Sequence, residues 1–353
     1  MKPSFSILLL KWNRAENRRS MPWKGEKDPY KIWLSEIILQ QTRVEQGWAY
    51  YERFVKTYPT IKKLAAAKDE EVFKLWEGLG YYSRCKNLLA TARIVVNDYK
   101  GVFPSEYEQI KALKGIGPYT AAAIISFAFN KPYAVVDGNV QRVLARYFGI
   151  TTPIDTTSGK KMFDQLAQAL LDKKEPSTYN QAIMDFGATI CKPQSPLCES
   201  CPLVKDCQAY ELDCIKSLPV KEKSIVKKER VLLYYILVFN KKFVYIRKRK
   251  EKDIWQNLHE FVLQETKLTG KIEDLAVKFL EKQTGKRAFM IKSISPKFKQ
   301  QLTHQTIIGY FIVAYLDKTL ASAGDYELVE KSDLKQLAFP RFINQYFETG
   351  PDI

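Results

Sequence analysis

Leu113-Lys114-Gly115-Ile116-Gly117-Pro118-Tyr119-Thr120-Ala121-Ala122 lies between two helical runs, Glu106 to Leu113 and Thr120 to Phe129. Two glycines one residue apart let the backbone turn tightly and approach another surface, and Pro118 suits the first turn of the next helix. Amides exposed at such a helix start attract an anion. A plain helix–helix turn has the same local pattern, so the surroundings decide. From residue 1 to about 214, apolar residues recur at three- and four-residue steps, as in Ile32, Trp33, Ile37, Ile38 and again in Leu88, Leu89, Ala92, Val95. Pro and Gly mark the breaks, at Asp28-Pro29, Tyr58-Pro59, Phe103-Pro104 and Asp137-Gly138. The expectation is an all-α domain over residues 1–214.

The pattern changes after it. Residues 215–230 carry Lys216, Lys221, Lys223, Lys227, Lys228 and Arg230 against Glu222 and Glu229, the composition of a basic linker. Strand-like runs follow, Val231 to Phe239, Phe243 to Arg247 and Ile307 to Leu316, with helical stretches near Glu273 to Gln283 and Phe342 to Phe347. A second, α+β domain is expected over 231–353. A chain of 353 residues has room for both.

Hydrophobic residues at 46% and charged residues at 27% exclude disorder, collagen-like repeats and coiled coil for the whole. Fifty-six Lys and Arg against thirty-nine Asp and Glu leave +17, which points to a polyanion, nucleic acid before anionic membrane. No apolar run approaches the roughly 20 residues that a bilayer requires. Ile7 to Leu10 is followed by Lys11, Trp12, Asn13 and Arg14 without a small-residue cleavage site, so it reads as a first helix. Six cysteines without a leader suggest a reducing compartment, hence a cytoplasmic protein, nucleoid-associated if bacterial.

Four of those cysteines, Cys191-x6-Cys198-x2-Cys201-x5-Cys207, fall within seventeen residues threaded with Pro193, Pro196 and Pro202. Such a loop can wrap its sulfurs around tetrahedral zinc or a four-iron cluster, and spacing does not choose. Four protein thiolates leave no open position, so the metal is a fold clip rather than a catalyst.

Two carboxylates stand out. Trp33-Leu34-Ser35-Glu36-Ile37-Ile38-Leu39-Gln40-Gln41-Thr42 is an apolar helix with Glu36 in its middle. A Glu buried there holds its proton to higher pH, as a general acid must, although one that reaches a Lys or Arg would be merely structural. Val136-Asp137-Gly138-Asn139-Val140 opens a helix running to Phe148, with Asp137 as its cap. In a site that flips out a nucleotide, Asp137 can also face the positive charge growing on deoxyribose as the base departs.

The strings WLSEIILQQT, GLGYY (Gly78 to Tyr82), LKGIGPYTAA, VDGNV and the four-cysteine loop occur in the order and spacing of MutY-type adenine DNA glycosylases. The chain resembles a full-length member of that group within the endonuclease III-like, helix–hairpin–helix superfamily. The likeness is strong over about residues 5–214 and weaker through a Nudix-like C-terminal domain. It implies a multidomain protein: an all-α helix–hairpin–helix glycosylase domain with an iron–sulfur loop at 191–207, plus an α+β Nudix-like domain that reads 8-oxoguanine.

The resemblance further implies Glu36 as catalytic acid and Asp137 as the carboxylate facing the sugar, with Tyr119 and Asn139 arranging them. Arg19, Met21, Trp23 and Gln181 line the adenine pocket. Gln41 and Thr42, with Leu79 and Tyr81, meet the duplex; Gln41 wedges in where adenine leaves and Tyr81 inserts beside the damaged guanine. Gly115 and Gly117 approach a phosphate. A [4Fe–4S] cluster on the four cysteines is favoured over zinc, with a monovalent cation at the hairpin as a further cofactor. Related lyases carry Lys where this chain has Tyr119, which implies base removal without efficient strand cleavage.

A working Nudix hydrolase requires a Glu-rich magnesium box, and Glu260 to Gly285 holds no Arg-Glu-x-x-Glu-Glu run. This domain is expected to bind rather than hydrolyse. The family's Phe-Ser-His recognition loop stands here as Leu302-Thr303-His304, keeping the hydroxyl and the imidazole. The expected partner is double-stranded DNA carrying adenine opposite 8-oxoguanine or guanine, bound by a monomer. Two alternatives stand beside it: a pyrimidine-specific bifunctional glycosylase of the same fold, disfavoured by Tyr119, and a catalytically silent damage-binding protein, disfavoured by Glu36 and Asp137 together.

Overall fold

The structure is a computed structural model and describes residues 4–222, 227–284, 288–320 and 322–350. The middle of the expected linker, 223–226, lies outside them. In chain order, the first part holds α1 (Ser4–Ala15), α2 (Pro29–Leu39), α3 (Val44–Thr57), α4 (Ile61–Ala66), α5 (Asp69–Trp76), α6 (Tyr82–Asp98), α7 (Tyr107–Lys111) and α8 (Pro118–Phe129). It continues with α9 (Gly138–Phe148), α10 (Thr157–Leu170), α11 (Pro176–Thr189) and the short α12 (Gln208–Glu211). No helix among the described residues is long and apolar enough to cross a membrane.

Contacts divide the chain into two units. One is Met1–Ala66 with Asn87–Ser224, and the other is Ala67–Lys86 with Ile225–Ile353. The expected division at residue 214 therefore differs over 67–86, which groups with the C-terminal residues. The physical reason is a set of polar ties: Lys248 to Glu70 at 2.8 Å, Lys74 Nζ to Leu337 O at 2.9 Å, and Phe339 N to Glu77 at 2.8 Å.

In the first unit, α1, α9 and α11 pack around Phe5, Leu9, Trp12, Val143, Leu144, Ile183 and Phe186. Helix α2 lies against α8 and is buried on nearly every side, which fits its almost unbroken apolar sequence. Asp28 caps α2 by accepting from Tyr30 N at 2.9 Å, and Pro29 supplies the fixed first turn. At Gly187 a Cβ would come within 2.7 Å of Asn139 Cβ, so a glycine there lets α11 approach α9.

The second unit holds a seven-stranded sheet of β1 (Lys228–Phe239), β2 (Phe243–Lys248), β3 (His259–Thr266), β4 (Phe289–Ile294), β5 (Phe298–Gln301), β6 (Gln305–Leu316) and β7 (Glu327–Glu330). Its order is β4-β6-β1-β3-β2-β7, with β5 pairing the first half of β6 on the same edge that β4 takes further along. Strands β1 and β6 run parallel from Lys228–Gln305 to Phe239–Leu316, and the rest pair antiparallel. The faces are covered by α13 (Ile272–Thr284) and by α14 (Arg341–Thr349). That double cover explains why β1 is apolar without alternation: Leu233 and Tyr235 join the α13 side, while Tyr234 stacks on Phe311 beneath α14.

Candidate active site

The residues expected to handle the base converge on one cavity of about 760 Å³ in the first unit. Ten expected residues line it: Arg19, Met21, Trp23, Glu36, Gln41, Thr42, Tyr119, Asp137, Asn139 and Gln181. They come from the 19–24 strap, the C-terminal half of α2 and the turn after it, the starts of α8 and α9, and the first half of α11. Trp23 is set edge-on against Tyr51, ring centres 5.4 Å apart, which gives the cavity a fixed aromatic wall.

Glu36 is 8% exposed. Burial pushes its carboxyl up to about 7; a hydrogen bond with Tyr119 opposes this and the neighbouring Asp137 charge adds to it. Near neutral pH it therefore holds a proton that it can give away. Tyr119 is pushed far up by burial and by both carboxylates, so its phenol stays neutral. Asp137 caps α9, accepting from Val140 N and from Asn139 Nδ2, both at 2.8 Å. Burial raises its pKa while those bonds favour the ionised form. Two carboxyls in one cavity thus have different environments, the condition under which one acts as acid and the other as anion.

Behind Asp137 stands an arginine absent from the sequence-based expectations. Arg142 Nη2 donates to Asn139 Oδ1 at 2.8 Å and to Gly187 O at 2.6 Å, and its Nε donates to Cys191 O at 2.8 Å. One turn on, Arg146 donates to Lys192 O at 2.7 Å and to Pro193 O at 3.1 Å. The i, i+4 pair on α9 ties the Asp137–Asn139 corner to the start of the cysteine loop.

Cys191, Cys198, Cys201 and Cys207 line a second, small cavity with Arg146, Pro196 and Leu197. Burial, and beyond it the neighbouring thiols, push Cys201 up to about 12, so four thiolates there require a positive centre to balance them. Among the described residues no group of three or more His, Cys, Asp or Glu side chains is arranged to hold a metal ion. The thiols share one space, with Cys191, Cys201 and Cys207 packed against the core.

The hairpin matches the expected turn. Gly115 has φ +75°, and a Cβ there would meet Asn87 at 2.7 Å; Gly117 precedes Pro118 as the cap of α8. In the second unit, Leu302 N bonds Gln305 O at 2.7 Å, closing a turn that carries Thr303 and the exposed His304. The Thr303 hydroxyl hydrogen-bonds Tyr81 Oη. Leu79, expected at the duplex, is 4% exposed, so its side chain packs in the core and is not offered to a partner in this structure. Gln41 and Tyr81 are both exposed and left-handed, at φ +57° and +48°.

Also missed were Lys24 and Asp185, the latter a fully buried carboxylate beneath the base pocket. The sequence signal was available: Asp185 lies four residues after Gln181, on the same helix face.

Residues 34–171 match the HhH-GPD superfamily of base excision DNA repair proteins, and residues 234–349 match the NUDIX domain family. An adenine DNA glycosylase of Buchnera aphidicola subsp. Schizaphis graminum is 35% identical over 264 residues, 75% of this chain and 76% of that protein. The Homo sapiens adenine DNA glycosylase is 42% identical over 217 residues, 59% of this chain and 40% of that protein. A thermostable thymine-DNA glycosylase structure, at 34% identity and TM-score 0.55, covers 59% of this chain and 95% of its own. A non-covalent endonuclease III–DNA complex, at 22% identity and TM-score 0.52, covers 60% of this chain and 98% of its own and shares the fold. With both domain families matched and the Buchnera relative 35% identical over 76% of its length, the chain belongs to the adenine DNA glycosylases.

Proposed function

We propose that this protein removes adenine mispaired with 8-oxoguanine or guanine in double-stranded DNA, by acid-catalysed hydrolysis of the N-glycosidic bond, and leaves an abasic site. The observation that carries this reading is the placing of Glu36: a buried carboxyl, pushed up to about 7 by that burial, hydrogen-bonded to Tyr119 and in the same cavity as Asp137. A flipped adenine that receives this proton on its imidazole-ring nitrogen leaves as a neutral base. Asp137 stabilises the oxocarbenium-like sugar, and water completes the reaction.

Strand cleavage through a Schiff base calls for an unprotonated amine at the sugar. Tyr119 stands at the position where lyases of this fold carry lysine. Of the cavity's two lysines, Lys24 donates to Asp185 at 2.8 Å and to Arg19 O at 2.7 Å, and Lys27 donates to Phe127 O at 3.1 Å. The expected chemistry is monofunctional.

The donor set at Cys191, Cys198, Cys201 and Cys207 fits a [4Fe–4S] cluster, which supplies a structural clip when bound. Arg142 and Arg146 then hold the loop against α9. A monovalent cation at the hairpin would share carbonyls such as Lys114 O, which already accepts from Thr91 Oγ1 at 2.8 Å. Thr303, His304 and Tyr81 are the proposed readers of the base opposite adenine, and Gln41, Thr42 and the hairpin glycines the duplex contacts.

The test is a single-turnover assay on duplexes holding adenine opposite 8-oxoguanine, adenine opposite guanine, and thymine opposite guanine. Free adenine from the first two and no thymine from the third supports the reading. Thymine release without adenine release overturns it.

A further inference from the structure

Asp185 is fully buried, and its two oxygens are filled by four donors. Oδ1 accepts from Arg19 Nη1 at 2.9 Å and from Gln181 Nε2 at 3.0 Å. Oδ2 accepts from Lys24 Nζ at 2.8 Å and from Asn17 Nδ2 at 2.9 Å. Arg19 and Lys24 are obligate donors, so to them the carboxylate is simply a counter-ion. For Gln181 the bond carries more information. A side-chain amide has a donor end and an acceptor end, and which end meets a ligand is set by what holds the other. An ionised carboxylate only accepts, so it captures the NH2 end and turns the carbonyl oxygen away. Among the described residues that oxygen has no protein partner, and Gln181 lines the base cavity.

We infer that Asp185 is the positioning residue that locks Gln181 with its carbonyl oxygen facing the flipped base, so that the pocket takes a 6-amino purine and rejects a 6-oxo purine. Adenine offers an exocyclic N–H to that oxygen. Hypoxanthine and guanine put a carbonyl in the same place, where two acceptors face each other without a proton between them. Arg19 and Lys24 cannot relieve the clash by releasing the carboxylate, because each would then lose its own counter-ion. The inference rests on the adenine-releasing function proposed above and assigns the residue that makes it selective.

The measurement is the ratio of single-turnover rate constants for adenine and for hypoxanthine placed opposite the same base. Asp185→Asn keeps the volume but replaces one acceptor oxygen with a donor, so Gln181 is no longer held in one orientation. The adenine-to-hypoxanthine ratio is expected to fall by about tenfold, the scale of one well-placed polar contact. Adding Gln181→Glu supplies a side chain that can only accept, and the ratio is expected to return to within about threefold of wild type. Both numbers are ratios within one protein, so a fraction of misfolded chain cancels. An unchanged ratio in Asp185→Asn, or a lowered ratio that Gln181→Glu fails to recover, overturns the assignment. Wild-type protein that releases neither base would overturn the function on which it rests, and the two failures are distinct.

Discussion

The proposed proton donor has to be kept from ionising near neutral pH, and burial in the apolar helix around it raises the pKa of Glu36. The helix WLSEIILQQT made that legible, because a Glu with apolar neighbours at both helical steps cannot reach water easily. In the coordinates its hydrogen-bond partner is the neutral Tyr119 and not a cation, which supports the proposed general acid over an ion-paired structural Glu. Excision at saturating enzyme should be bell-shaped in pH. It falls about tenfold per unit above the Glu36 value near 7. Its acid limb lies above the ordinary aspartate range, because burial raises Asp137. Stability follows the same proton. The folded pKa of Glu36 exceeds its ordinary value, so its contribution is complete below about pH 4.5 and is lost as pH rises through about 7. Glu36→Gln should therefore be more stable than wild type at pH 8 by on the order of 2–3 kcal/mol, with the gap closing toward pH 5. Urea midpoints at the two pH values check this, and an equal gap at both would remove the buried proton from the account.

At the scale of elements, α9 does two jobs with one corner. Asp137 caps the helix and also presents its charge to the cavity. Asparagine caps as well as aspartate does but gives up the acceptor for Asn139 Nδ2, so Asp137→Asn should cost about 1 kcal/mol of stability while abolishing most excision. A large loss of stability would mean that the charge matters to the fold rather than to the sugar. Arg142→Leu strips a donor from the buried carbonyls of Cys191 and Gly187 and from Asn139. It should cost about 1–3 kcal/mol and slow excision at saturating enzyme, and thermal melts beside single-turnover rates measure both. Neither arginine was legible, because Arg at i and i+4 of a helix usually means a solvated face. Their task became visible only when the cysteine loop folded over them. Strand β3 was missed for a related reason. His259-Glu260 breaks its apolar run, yet Glu260 is fully buried and neutralised by Arg247 at 2.8 Å and by Arg249. A buried charge reads as surface until its partners are known.

For the whole molecule, the helical and α+β halves were legible from periodicity, and the motifs fixed the order of the site residues. Residues 67–86 were not assignable from sequence, because only side-chain ties such as Lys248–Glu70 and Tyr81–Thr303 reveal their unit. That grouping gives Tyr81, Thr303 and His304 one shared scaffold. Replacing both Thr303 and His304 with Ala should weaken binding to the 8-oxoguanine mispair much more than to the adenine–guanine mispair. Dissociation constants must be compared at one salt concentration, since phosphate contacts from a +17 protein dominate both. Equal losses would mean that these residues touch only the backbone. Whether Glu36 delivers the proton on which adenine leaves is read from free adenine released from an adenine:8-oxoguanine duplex in single turnover, with wild type and Glu36→Gln side by side. Wild type should release one adenine per abasic site formed, and Glu36→Gln should bind the duplex but release adenine at least about a hundredfold more slowly. Near-normal release by Glu36→Gln would contradict it.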